Sequence, residues 1–189
     1  GWFAMHMSLK KAFPNLEYHF RVESIQSGGV VKISSELKGT HKTGFCIGVA
    51  GYPEKHFEAP NMDSDLNYLK KKVDAGADYI VTQMFYDNAK FHAFVKACRE
   101  AGIQVPIIPG MKPITSKKQL TVLPKTFHID LPTELSNEVL RCKTDEEVEK
   151  VGEQWLLQQS RELKEAGVPV LHYYTLGKPH VVANVVRQL

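Results

Sequence analysis

The sequence predicts an α/β fold of parallel β/α units, because one short phrase occurs in it three times. Lys70-Lys71-Lys72-Val73-Asp74-Ala75-Gly76 precedes Tyr79-Ile80-Val81-Thr82-Gln83, and Cys98-Arg99-Glu100-Ala101-Gly102 precedes Val105-Pro106-Ile107-Ile108-Pro109. The third copy, Leu163-Lys164-Glu165-Ala166-Gly167, precedes Val168-Pro169-Val170-Leu171-His172-Tyr173-Tyr174. Glycine just past a last helical turn accepts the left-handed backbone that a side chain resists. The apolar run behind it is too short for a helix and does not alternate, so it reads as a strand buried on both faces. Helix, glycine, buried strand and polar loop form a parallel unit, and such units carry their chemistry in the loops after the strands.

Taken in order, residues 1–43 stay unassigned: Ser27-Gly28-Gly29 reads as a turn, and Val30-Val31-Lys32-Ile33-Ser34-Ser35-Glu36-Leu37 suits a short helix or a strand. Residues 45–50 form the first secure strand, followed by a ring-rich loop from 51 to 60. Leu66, Leu69 and Val73 give a helix over 63–75 one apolar face. A strand over 79–84 follows, then a helix capped by Asp87 or Asn88 with Phe91, Phe94, Val95 and Cys98 on its buried side. A strand over 105–109 leads to a helix capped by Thr115 or Ser116. Leu131-Pro132 opens another helix, ending near Cys142. Thr144-Asp145-Glu146-Glu147 is the oxygen-rich start of a long helix to Glu165, a strand runs over 168–175, and Pro179 starts a closing helix. Four strands are legible where a closed (β/α)8 barrel needs eight and about 250 residues. The sheet is therefore open, or it is half of a barrel.

A chain of 189 residues with 43% hydrophobic and 24% charged residues can bury one core. Net charge is +3 with the positives spread along helices, which argues against a nucleic-acid partner. No apolar run approaches a membrane span and no secretion signal opens the chain, so neither a membrane association nor export is expected. Cys46, Cys98 and Cys142 fit neither a disulfide framework nor a metal site; free thiols suit a reducing cytoplasm, the expected location. No metal-ligand spacing, Ser-His-Asp order, GxGxxG or Walker loop is present.

The loops after the strands hold the candidate site. Gly48 and Gly51 allow a close backbone approach, while Tyr52 and His56 offer flat, hydrogen-bonding faces suited to an aromatic cofactor or a nucleotide; a proline-bounded loop that only caps the fold reads the same way. Asp65 and Lys72 lie two helical turns apart on one side, placed for a ribose hydroxyl and a phosphate, or simply for the two ends of the helix dipole. Gln83 ends its strand with a neutral amide, an unexpected choice for packing alone and one that can read a heterocycle edge. Lys112 is expected to face solvent, since the Gly110 loop between prolines is a poor phosphate grip. Gln119 alone reads as a solvated residue. Lys178 reads as a carboxylate-holding cation or a solvated lysine, and His172 as a satisfied interior residue.

Five blocks carry a resemblance. Gly48-Val49-Ala50-Gly51-Tyr52-Pro53-Glu54-Lys55-His56, Lys72-Val73-Asp74-Ala75-Gly76-Ala77, Thr82-Gln83-Met84-Phe85-Tyr86-Asp87, Ile107-Ile108-Pro109-Gly110-Met111-Lys112-Pro113-Ile114 and His172-Tyr173-Tyr174-Thr175-Leu176-Gly177-Lys178 resemble methylenetetrahydrofolate reductases, colinearly from about Phe45 to Leu189. The resemblance implies a parallel (β/α) barrel of the TIM type with only its last four strands legible, residues 44–189 forming the C-terminal half. It implies FAD, reduced by NADH or NADPH, passing hydride to 5,10-methylenetetrahydrofolate to give 5-methyltetrahydrofolate. It implies Tyr52, His56, Ala59, Asp65 and Lys72 around FAD, and Gln83, Gln119 and Lys178 toward folate and nicotinamide. At Lys178 the family often has an arginine; lysine keeps the charge and loses the two-pronged grip. The family's catalytic glutamate, in a strand-Glu-x-x-Pro-Pro setting, and its Arg-Gly-Asp loop do not appear. Glu17, Glu23 and Glu36 stand in no such setting, so no catalytic acid is assigned, and a half-barrel module without turnover is the alternative. Two open sheet edges imply a homo-oligomer, or edges covered by residues 1–43.

Overall fold

The three Ala-Gly stops end their helices as the sequence predicts: Gly76, Gly102 and Gly167 have φ of 110°, 78° and 82°. The structure, a computed structural model, describes residues 19–22 and 46–189. The expectations for the Ser27–Gly29 turn, for residues 30–37, and for Glu17, Glu23 and Glu36 lie outside the described residues.

The elements run β1 (His19–Val22), β2 (Cys46–Gly51), α1 (Met62–Asp74), β3 (Tyr79–Met84), α2 (Asn88–Glu100), β4 (Ile107–Met111), α3 (Gln119–Phe127), α4 (Thr133–Arg141), α5 (Asp145–Glu165), β5 (His172–Tyr173) and α6 (Pro179–Arg187). All five strands are parallel and neighbours in chain order, β1-β2-β3-β4-β5, a half-barrel sheet. The four expected strands are adjacent in the expected order. β1 adds a fifth from the segment that sequence reasoning left unassigned, pairing His19 with Cys46 through Val22 with Val49.

Caps fix where the helices begin. The side chain of Asn61 accepts from the Ser64 N–H at 2.9 Å, Asp87 from the Ala89 N–H at 2.8 Å, and Thr144 from the Glu147 N–H at 3.3 Å. α3 differs from expectation. The N–H of Thr115 is taken by Gln119 Oε1 at 2.8 Å, so the chain stays buried and non-helical through Thr115 and the helix proper starts at Gln119. The last strand is also shorter than expected. Only His172 and Tyr173 pair with β4, opposite Gly110 and Met111.

Two cores hold the sheet. Val49, Ile80, Phe91, Phe94, Cys98, Ile103, Met111, Leu156, Leu163 and Val185 pack between the strands and α1, α2, α5 and α6. A second core of Met84, Tyr86, Ile114, Leu123, Leu135, Val139 and Val148 fills the end of the sheet where the strands finish. Cys46, Cys98 and Cys142 are free thiols, two of them buried. No helix among the described residues is long and apolar enough to cross a membrane.

Candidate functional site

The loop after β2 is tied down along its whole length. The Lys55 N–H donates to Tyr52 O at 3.1 Å in a turn that puts Lys55 at φ 73°, a left-handed backbone uncommon outside glycine. Its ammonium holds the turn by donating to His56 O at 2.9 Å and Ala59 O at 2.6 Å. Glu54 accepts from Lys90 Nζ at 2.5 Å and from the Asp130 N–H at 3.1 Å, and Lys90 also reaches Asp130 Oδ2 at 2.6 Å. Burial pushes the Glu54 carboxyl above its usual range, with Lys90 opposing. The loop is thereby clasped to α2 and to the connection between α3 and α4.

Gly48 and Gly51 do not open space for a ligand, contrary to expectation. A Cβ on Gly48 would meet the Tyr79 ring at 2.4 Å, and one on Gly51 would meet Ile80 at 2.7 Å and Phe94 at 2.9 Å. The room these glycines make is filled by the chain's own side chains.

Tyr52 and His56 meet edge to face at 4.6 Å between centroids, and Phe57 continues the row to His128, stacked at 4.5 Å and 20°. The Glu58 N–H donates to His56 Nδ1 at 3.3 Å, which leaves Nε2 of the neutral ring as the N–H donor. The main-chain N–H of His56 donates to Asp65 Oδ2 at 2.8 Å. Burial raises the Asp65 pKa, opposed by the hydrogen bond from the His56 N–H and by the charges of Lys72 and Lys55. Lys72 is 8% exposed, and its ammonium makes no hydrogen bond among the described residues; burial lowers its pKa and the Asp65 charge opposes the shift. Asp65 and Lys72 are thus a coupled, half-desolvated pair facing the His56 loop, more than the ends of a helix dipole.

Gln83 sits in a β-bulge. Val81 pairs with Ile108 and Met84 with Gly110, so one extra residue is accommodated between them. The Gly110 N–H is taken by Thr82 Oγ1 at 2.9 Å. The Gln83 amide oxygen accepts from the Met84 N–H at 3.0 Å, and the side chain shares a small recess with Tyr52, Lys55, Phe127 and His128. Bulges beside sites re-aim a side chain, and this one lies at the candidate residue.

The structure therefore joins Tyr52, His56, Ala59, Asp65, Lys72 and Gln83. It finds other contacts for the remaining two. Gln119 spends its amide on Thr115, accepting from the N–H and donating to Oγ1 at 3.2 Å. Lys178 is exposed and donates to Glu149 Oε1 at 2.7 Å on α5, with His180 at 3.0 Å on the other oxygen. Lys112 is buried, not solvent-facing: it is 3% exposed, its ammonium donates to Pro113 O at 2.9 Å, and burial lowers its pKa to about 8. α5 packs closely on the same segment: a Cβ on Gly152 would sit 1.9 Å from Ile114 O. His172 packs edge-on against Tyr174 at 4.7 Å. Sequence reasoning missed Lys55, Glu54 with Lys90, and the Phe57–His128 stack. The first carried a signal in the crowded Pro-Glu-Lys-His turn; the stack, between residues 71 apart, carried none. Among the described residues no cluster of three metal-binding side chains occurs.

The family profile described as methylenetetrahydrofolate reductase matches residues 21–189. The match starts within β1, ahead of the Phe45 at which the motif blocks begin. Among curated relatives, "Methylenetetrahydrofolate reductase (NADH) 1" of Arabidopsis thaliana is 42% identical over 155 residues, 77% of this chain and 26% of the relative. "5,10-methylenetetrahydrofolate reductase" of Salmonella typhimurium is 36% identical over 155 residues, 80% of this chain and 52% of the relative. The chain thus spans about half the length of the bacterial relative and about a quarter of the plant one. Among solved structures, a protein from Clostridium thermocellum described as binding two copies of 5-methyl-5,6,7,8-tetrahydrofolic acid aligns at TM-score 0.56 and 20% identity, over 89% of this chain and 60% of that one. That likeness is one of fold.

Proposed function

The chain belongs to the methylenetetrahydrofolate reductase family, and from that membership we propose that it contributes the flavin and folate contacts of a reductase converting 5,10-methylenetetrahydrofolate to 5-methyltetrahydrofolate. The observation that carries the reading is Lys72 beside Asp65: a mostly buried lysine whose ammonium makes no hydrogen bond among the described residues, next to a half-buried carboxylate already oriented by the His56 N–H. A partly desolvated ammonium with hydrogen-bonding capacity to spare favours an anion that docks on it. A dinucleotide such as FAD supplies the missing groups, a phosphate for Lys72 and a ribose hydroxyl for Asp65, so the residues present fit it. When bound, FAD would supply the chemistry that carries hydride between NADH or NADPH and the folate.

The chain's own residues bind and orient. Tyr52 and the Nε2–H of His56 offer a ring face and a donor beside the cofactor, and the Lys55-held turn presents the main chain at Ala59. Gln83, aimed by its bulge, reads the edge of folate or nicotinamide with an amide whose nitrogen is uncommitted. Gln119 and Lys178 serve the substrate only if they release Thr115 and Glu149. We read residues 44–189 as the C-terminal half of the barrel, in a cytoplasmic homo-oligomer.

A second reading, a half-barrel binding module without turnover, is favoured by one observation: no glutamate of the chain stands in a strand-Glu-x-x-Pro-Pro setting. The visible spectrum of the purified chain titrated with FAD tests the shared premise. Bound oxidised flavin is yellow, and a chain that retains none after gel filtration overturns both readings.

A further inference from the structure

At the start of α6, Lys178 and His180 share one carboxylate of α5. Glu149 accepts from Lys178 Nζ through Oε1 at 2.7 Å and pairs with His180 Nε2 through Oε2 at 3.0 Å. Asp145 and Glu146, on the first turn of α5, also attract the Lys178 ammonium. The carboxylate is the least exposed of the three bonded side chains, at 19% against 48% for Lys178 and 58% for His180. Glu149 is therefore the anchored member of the pair, and Lys178 the one with room to swing.

Opening this pair does not undock α6. One turn further along, Glu153 accepts from Asn184 Nδ2 at 3.0 Å and from Gln188 Nε2 at 3.3 Å, and Val181, Val182 and Val185 are buried on the other face of the helix. The exchange is also cheap for Glu149. When Lys178 leaves, the His180 contact stays on the second oxygen, so the carboxylate is not left bare. An ion pair with both partners in reach of water is weak enough for a second carboxylate to displace. The folate proposed above as substrate carries such a group on its glutamate tail, and it competes with Glu149 for the same ammonium.

We propose that Glu149 is a resident carboxylate that holds Lys178 until the glutamate tail of a folate displaces it, and that it thereby sets how tightly anionic folates bind. The inference rests on the reading of Lys178 as a substrate residue. A ligand with a charged tail opens the pair and gains Lys178, whereas a ligand with a neutral tail leaves the pair closed.

The test is calorimetric titration of the 189-residue chain, supplied with FAD, at constant ionic strength. Folic acid, which has the glutamate tail and no hydride to give, is compared with its glutamate diamide, whose tail is neutral. Glu149→Gln should lower the dissociation constant for folic acid about threefold and leave that for the diamide unchanged. Lys178→Met should raise the constant for folic acid about threefold. Adding Glu149→Gln to Lys178→Met should then change nothing further, the non-additivity expected of two residues that act as a pair. An equal gain from Glu149→Gln with and without Lys178 makes Glu149 a general repulsive charge and overturns the proposal. So does an equal gain for the diamide, or no gain for folic acid. A wild-type chain that binds neither compound overturns the substrate reading itself, and this inference with it.

Discussion

The Tyr174 hydroxyl donates to the main-chain oxygen of Thr82 at 2.9 Å, across the strand that lies between them. β3 and β5 are not neighbours; β4 separates them, and the bond passes over Gly110. A Cβ at Gly110 would stand 2.2 Å from Thr82 O and 2.7 Å from the Tyr174 ring. Thr82 is also the bulge residue whose hydroxyl accepts from the Gly110 N–H, so this one clasp holds the sheet in the shape that aims Gln83.

Gly110→Ala should therefore destabilise the fold by about 1–3 kcal/mol through overpacking. Tyr174→Phe, which removes one hydrogen bond and no packing, should cost about 1 kcal/mol. Urea unfolding ranks the two. An alanine at 110 that unfolds at the wild-type midpoint contradicts the clasp.

The parallel units were legible because their signals are local: a glycine that must be left-handed, a cap, an apolar run. The limits of α1 and α5 and the starts of α2 and α6 follow within about two residues for that reason. What the sequence hid depends on partners far along the chain. The bulge at Gln83 lies where Gly110 and Tyr174 hydrogen-bond Thr82, and α3 starts late where Gln119 reaches back to Thr115. Asp65 and Lys72 were legible as a spacing, and their shared desolvation was not. β1 was illegible because its pairing with β2, and not its own pattern, makes it a strand.

Among the described residues the buried ammonium of Lys112 donates to one carbonyl, that of Pro113, and burial lowers its pKa from 10.5 to about 8. Between those values the unfolded chain binds more protons than the native one, so stability rises with pH across that window and the penalty is fully present below about pH 8. The gap corresponds to about 3 kcal/mol. Lys112→Met should recover much of it at pH 7 and flatten the rise between pH 8 and 10.5. A variant less stable than wild type at pH 7 refutes this account of Lys112.

Lys72→Met separates binding from folding. The Lys72 ammonium makes no hydrogen bond among the described residues, and the relief of its desolvation offsets the loss of the Asp65 attraction, so its removal should leave the urea midpoint nearly unchanged. FAD affinity should fall about tenfold or more, the worth of one charge-assisted phosphate contact. Titration of flavin fluorescence reads the affinity. Unchanged affinity removes Lys72 from the proposed cofactor site.

Gln83→Ala should spare flavin retention and slow hydride transfer, because the proposed partners of its amide are folate and nicotinamide. Stopped-flow reduction of bound flavin, read beside the dissociation constant for FAD, distinguishes the two effects. Loss of flavin with normal transfer in reconstituted protein reverses the assignment.

Turnover with the folate makes a further demand. The methylene carbon accepts hydride only after the folate ring opens to an iminium, and opening requires a proton delivered to nitrogen. A positioned acid contributes about 10²–10⁴-fold to such a step. Tyr86 does not supply it, since burial pushes its hydroxyl pKa up, and Glu54 is committed to Lys90 and Asp130. The 189-residue chain loaded with FAD should therefore oxidise NADH or NADPH, a direct hydride transfer, while reducing methylenetetrahydrofolate at least about a hundredfold more slowly. Parallel assays of the two half-reactions decide it. Equal rates would mean that a proton donor reaches the folate from residues 1–43, and Glu17→Gln, Glu23→Gln and Glu36→Gln would then identify which carboxyl it is.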